Sequence, residues 1–227
     1  MNTKIKLLIT LVTGMFFFTS CDNGTTTTTD KDNIDTTKMS NLKNDTMNKK
    51  MDDMKKKDNG LITSMNKMMD NMSSMKMTGD FDMDFANMMI EHHQGAIDMS
   101  KIEVAKGTDE KIKGMAQNII TKQNEEIGKM QEIIKNYKPS GMEMGKHDEL
   151  SKDMDDMKAK MNGMQMTGNT DKDFAMMMIS HHESAIKMFK DELSHGMNSQ
   201  LKQMAQKGIS DQTKEISEFK SWLNSKK

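Results

Sequence analysis

Two His-His dipeptides, His92-His93 and His181-His182, lie in runs of methionine that set thioether and imidazole one helical turn apart. Residues four apart share a helix face. Met88 is four before His92 and Met89 four before His93, and Met177 and Met178 stand in the same relation to His181 and His182. Imidazole binds several transition metals, whereas thioether selects soft ions, Cu(I) above all. The chemistry these residues point to is capture of copper as Cu(I).

The elements that must position them repeat. Asp84-Phe85-Ala86-Asn87-Met88-Met89-Ile90-Glu91-His92-His93, followed by Ala96, Ile97 and Met99, returns 89 residues later as Asp173-Phe174-Ala175-Met176-Met177-Met178-Ile179-Ser180-His181-His182, followed by Ala185, Ile186 and Met188. From Leu61 onward the whole chain follows that offset. Met65, Met68, Met72 and Met75 match Met154, Met157, Met161 and Met164 at helical spacings of 3, 4 and 3, with Gly79 and Gly168 read as helix stops. A second helix opens at Asp82 or Asp84 and runs to about Gly107. A third runs from about Asp109 to Tyr137, where Pro139 and Gly141 end it. In the second copy Gly196 replaces Gly107, and the last helix ends near Trp222. Each copy is three helices, without strands.

The apolar seam of the second helix runs Phe85, Met89, His92, Ala96, Met99, Glu103, and that of the third runs Ile112, Ala116, Ile119, Gln123, Glu126, Met130, Ile133. Both are interrupted by polar residues at mid-length. If the two helices fold back at Gly107 and rise equally, His92 lies level with Gln123 and Met89 with Glu126. The second copy sets His181 near Gln212 and Met178 near Glu215. Two explanations stay open: a metal site, or a buried hydrogen-bond network that fixes helix pairing. A buried glutamate needs a partner or a cation in either case.

Other chemistries fit poorly. A carboxylate-bridged di-iron centre needs Glu-x-x-His motifs, and the chain has Glu91-His92 and Ser180-His181 instead. Nothing suggests the open geometry of a catalytic zinc, and no Gly-x-Ser-x-Gly elbow or phosphate-cradling loop is present. A net charge of −1 offers no field for nucleic acid. Aromatic residues are only 4% of the chain, so 31 methionines supply much of the apolar packing and most stripe methionines are core. Met142-Glu143-Met144 with His147, and His195-Gly196-Met197, fall outside the seams and are candidates for additional weak copper sites.

The N-terminus reads as a secretory signal: Lys4 and Lys6, an apolar run from Leu7 to Phe18, then Thr19 and Ser20 before the single cysteine, Cys21. Phe18-Thr19-Ser20-Cys21 resembles a bacterial lipobox, with Phe where Leu is usual. Cleavage there would expose Cys21 for lipidation. The expected organisation is a signal peptide over 1–20, a disordered lipid-anchored tether over 21–58, a helical repeat over 59–138, a linker over 139–149, and a second repeat over 150–227.

The pattern Asp-Phe-Ala-x-Met-Met-Ile-x-His-His-x-x-Ala-Ile-x-Met, followed by Met-Ala-Gln-x-x-Ile and Gln-x-x-Glu-Ile, resembles the domain of unknown function 305 family, which includes periplasmic CopM-type copper-binding proteins. The resemblance covers residues from about 61 to 135 and from about 150 to 223. It implies an all-α fold of two tandem ferritin-like helical repeats. It also implies importance for Phe85, Met89, His92, His93, Met99, Gln123 and Glu126, and for Phe174, Met178, His181, His182, Met188, Gln212 and Glu215. Gln94-Gly95 in the first copy becomes Glu183-Ser184 in the second, a departure that could make the copies unequal.

The expectation is a lipid-anchored cell-envelope protein that sequesters copper or hands it to a partner protein, without catalytic turnover. Met89, His92 and His93 would bind the ion, with Gln123 and Glu126 orienting the imidazoles or filling a remaining position. Homo-oligomerisation remains open. The rival readings are a metal-dependent oxidoreductase and a metal-free interaction module.

Overall fold

A computed structural model of the protein describes residues 60–139 and 148–226; the signal, the Cys21 lipidation site, the tether and the Met142–His147 cluster lie outside the described residues. Six helices and no strand occur among those described: α1 Leu61–Ser73, α2 Phe81–Lys106, α3 Glu110–Asn136, α4 Asp148–Gly163, α5 Thr170–His195 and α6 Ser199–Ser225. None is long and apolar enough to cross a membrane.

Polar caps start the long helices. The Asp80 carboxylate accepts from the Met83 N–H, Asp109 from Lys111 and Ile112, Asn169 from Lys172, and Asn198 from Gln200 and Leu201. Each cap satisfies donors that the first helical turn leaves without partners. Asp80, rather than Asp82 or Asp84, is therefore the cap of α2. The first helix also ends earlier than its methionine spacing predicts, at Ser73, so Met75 lies beyond it. The Ser73 and Ser74 hydroxyls donate back to the Asp70 and Asn71 carbonyls, an alternative to continuing the helix. Gly79 and Gly168 serve the next turn instead, with φ of 91° and 83°, a left-handed backbone that suits glycine. Their N–H groups donate to Asp84 and Asp173, which also accept from the Thr78 and Thr167 hydroxyls. The last helix continues to Ser225, three residues past Trp222.

α2 and α5 form the central layer and pack on each other; α3 and α6 cover them on one side, with α1 on α2 and α4 on α5. Both central helices are buried around most of their circumference. The two copies are not beads on a string. Phe85 packs against Phe189, ring centroids 6.2 Å apart, and His92 against His181 at 3.7 Å.

The ends of α2 and α5 interlock in matching pairs. Asp82 accepts from the Met197 and Asn198 N–H groups at 3.0 and 2.9 Å. Its counterpart Asp171 accepts from the Thr108 and Asp109 N–H groups at 2.8 and 2.9 Å, and from the Thr108 hydroxyl. Each copy thus ties down the turn of the other, which gives the pair an approximate two-fold relation centred on His92 and His181. Methionine fills much of the core, as an adaptable unbranched side chain can.

Candidate metal centre

All four histidines of the two dipeptides are buried, at 1% exposure or less, midway along α2 and α5. His93 Nε2 lies 2.8 Å from Glu126 Oε2, and His182 Nε2 lies 2.9 Å from Glu215 Oε2. With Nε2–H donated to a carboxylate, the remaining ring nitrogen of each is Nδ1, and both Nδ1 atoms are buried without a hydrogen-bond partner. His181 donates Nε2–H to the His92 backbone carbonyl at 2.9 Å, which leaves its Nδ1 as a lone-pair acceptor, again without a partner. Neither ring nitrogen of His92 has one.

Burial, reinforced by His93 and His182, holds the His92 imidazolium well below the usual range; burial, then His92 and His182, does the same for His181. Both rings are neutral at pH 7, the form that binds a metal. Burial raises Glu215, but its contacts with His182 and Lys122 outweigh that and keep its carboxyl below the usual value.

Glu126 and Glu215 therefore face imidazole, whereas the folded-back register sets Met89 and Met178 opposite them. The displacement is one helical turn, and two effects account for it. The connection is centred on Thr108, since α2 ends at Lys106 and α3 begins at Glu110. Helical side chains also lean about one residue toward their own N-terminus, and both partners do so. His92 and His181 also meet each other across the two copies, a contact that the register within one copy does not predict.

Met88, Met89, Met99, Met177, Met178 and Met188 are fully buried on the same two helices. Gln123 and Gln212, 3% and 4% exposed, lie in the cleft between α3 and α6 beside Glu126 and Glu215, each with a buried Oε1 that lacks a partner. Phe85 and Phe174 pack in the core, against Phe189 and Phe219. Among the described residues no three His, Cys, Asp or Glu side chains converge to hold an ion.

The 94–95 and 183–184 difference lies against the neighbouring helices. A Cβ on Gly95 would lie 2.4 Å from the Met68 sulfur, so α1 packs against bare backbone there. Glu183 pairs with Lys160 and Lys220. His195 packs edge-on against Phe81, while Met197 is exposed.

Sequence spacing within one copy missed the inter-repeat contacts, among them those of Asp82 and Asp171. It also missed Lys122, on α3, whose ammonium lies 2.8 Å from Glu215 Oε1.

The family model described as domain of unknown function (DUF305) matches residues 25–134 and again 82–223. The chain belongs to the DUF305 family. No curated protein sequence matches it significantly. Solved structures of CopM are similar to this DUF305 chain. The silver-bound form, obtained by co-crystallization, is 29% identical over 63% of this chain and 96% of its own, with a TM-score of 0.47. The Cu(I)-bound form is 28% identical over 63% and 96%, with a TM-score of 0.47. The Cu(II)-bound form is 28% identical over 64% and 97%, with a TM-score of 0.49.

Proposed function

We propose that this DUF305 protein binds copper as Cu(I) in the core shared by its two repeats, and sequesters or transfers it in the cell envelope without catalytic turnover. One observation carries the reading: five ring nitrogens of His92, His93, His181 and His182 are buried, unpartnered and surrounded by a methionine-rich core. A self-contained hydrogen-bond network would use those nitrogens, because an unsatisfied buried polar atom costs about 1–3 kcal/mol. Neutral imidazole and thioether together suit a soft monovalent ion.

In this reading His92, His93, His181 and His182 supply nitrogen, no more than two of them to any one ion, and Met88, Met89, Met177 and Met178, each four residues before a histidine, supply sulfur. Met99 and Met188 complete the thioether lining. Glu126 and Glu215 hold the outer imidazoles by Nε2–H and aim Nδ1 inward, the carboxylate–histidine arrangement that raises ligand basicity. The envelope location rests on the signal-like N-terminus and the lipobox-like Phe18–Cys21, which would tether the protein by lipid at Cys21.

Titration of the protein with Cu(I) against a chromophoric chelator tests the binding. Replacing His92, His93, His181 and His182 by Ala should weaken affinity by more than the ~10–100-fold that outer hydrogen-bond partners carry. An unchanged affinity overturns the reading. Globomycin-sensitive processing, or its absence in Cys21→Ser, tests the anchor.

A further inference from the structure

The histidines are buried, so an ion that reaches them needs a path. Glu126 and Glu215 span the gap: each bonds a buried imidazole through one oxygen and is itself partly exposed, its side chain at 20% and 14%. Both open into the cleft between α3 and α6, whose lining includes Lys122, Gln123, Asp211 and Gln212. The cleft holds only about 10 Å³ of free volume, on the order of one water. A cation passing it must shed most of its hydration, and the unpartnered, buried Oε1 atoms of Gln123 and Gln212 in the lining are the oxygen donors that can replace it.

The two sides of this cleft are unequal. At the offset of 89 residues Lys122 corresponds to Asp211 and Glu126 to Glu215. Lys122 occupies the outer oxygen of Glu215. Asp211, where the second copy has its matching side chain, carries the opposite sign and is paired along its own helix with Lys207. The ammonium of the half-exposed Lys122 therefore stands over one carboxylate, while Lys207 is ion-paired with Asp211.

We propose that the α3–α6 cleft is the port by which a soft monovalent cation reaches the histidine core, with Gln123 and Gln212 as relay donors and Lys122 as a gate over its Glu215 side. This rests on the copper-binding reading above. A gate lowers the barrier in both directions when removed, so it changes uptake and release rates together and affinity much less.

The test is stopped-flow transfer of Cu(I) from a chromophoric chelator to the full chain, repeated with Ag(I) as a redox-inert probe. Lys122→Met should load and release roughly tenfold faster, the scale on which local charge alters cation arrival. Lys122→Arg should keep the slow rates. Lys111→Met, which removes an exposed charge at the far end of α3, should stay within about twofold of the native protein. Gln123→Leu combined with Gln212→Leu should slow loading by a similar tenfold. Circular dichroism confirms that each variant is folded. Native rates in Lys122→Met, or equal acceleration by Lys111→Met, overturn the port while equilibrium binding stands. Failure of the native protein to bind Cu(I) at equilibrium overturns the port and the binding reading together.

Discussion

At the residue scale the account turns on which nitrogen of each histidine is occupied. Glu126 and Glu215 take Nε2–H of His93 and His182, and the His92 carbonyl takes that of His181. The glutamates act through imidazole orientation, so truncation should weaken metal binding without abolishing it. Glu215→Ala should lower Cu(I) affinity by about 10–100-fold, while Glu125→Ala, on the exposed face beside Glu126, should leave it unchanged. Chelator competition on both variants checks this, and equal effects would remove the glutamates from the site. The sequence made the polar interruptions at Gln123 and Glu126 legible, because they break an otherwise apolar seam. It did not reveal which side chain meets Glu126, since a one-turn displacement depends on the length of the connection and the lean of the side chains.

At the element scale, the ends of α2 and α5 carry two buried carboxyl pairs. Burial, then the neighbouring Asp171 carboxyl, raises Glu103 to about 8; burial, then Asp82, raises Glu192 to about 9. Lys113 and Lys202 oppose these shifts, and Asp109 and Asp80 add to them. Protonated at pH 7, each glutamate lies beside the aspartate that ties the two copies together. Gly107 and Gly196 make room, since a Cβ there would lie 2.1 and 2.2 Å from the Glu103 and Glu192 oxygens.

The folded-state values lie above the unfolded carboxyl value of 4.5, so the folded protein binds more protons between pH 4.5 and about 8–9. Stability from these pairs is complete below that window and is lost as pH rises through it. Thermal melts should therefore give a lower Tm at pH 9 than at pH 7, a window in which the buried His92 and His181 stay neutral, and Glu103→Gln with Glu192→Gln should flatten the dependence. A Tm that rises between pH 7 and pH 9 in the native protein would contradict the pairing. Glu103 was visible as a polar residue in the α2 seam, but its partner lies on the other repeat and had no local signature. Helix type and order were legible because spacing, caps and glycines agree; the early end at Ser73 was not, because two adjacent hydroxyls override the methionine spacing.

At the scale of the whole molecule the two repeats share one core. Asp82 and Asp171 tie each copy to the turn of the other, and His92 meets His181 near the centre. The described helices should unfold in one cooperative transition. Asp171→Ala should lower hydrogen-exchange protection in α6 as well as α3, and loss confined to α3 would mean that the repeats are independent. The tandem repeat was evident from the offset of 89 residues, whereas its interlocking was not, because offset alone does not say which faces meet.

The most direct test of the central claim is X-ray absorption at the copper edge of the Cu(I)-loaded protein. Mixed sulfur and imidazole-nitrogen scattering is predicted, with the nitrogen contribution reduced in His92→Ala/His181→Ala. A shell of oxygen donors alone, or a spectrum unchanged by that double substitution, would contradict it.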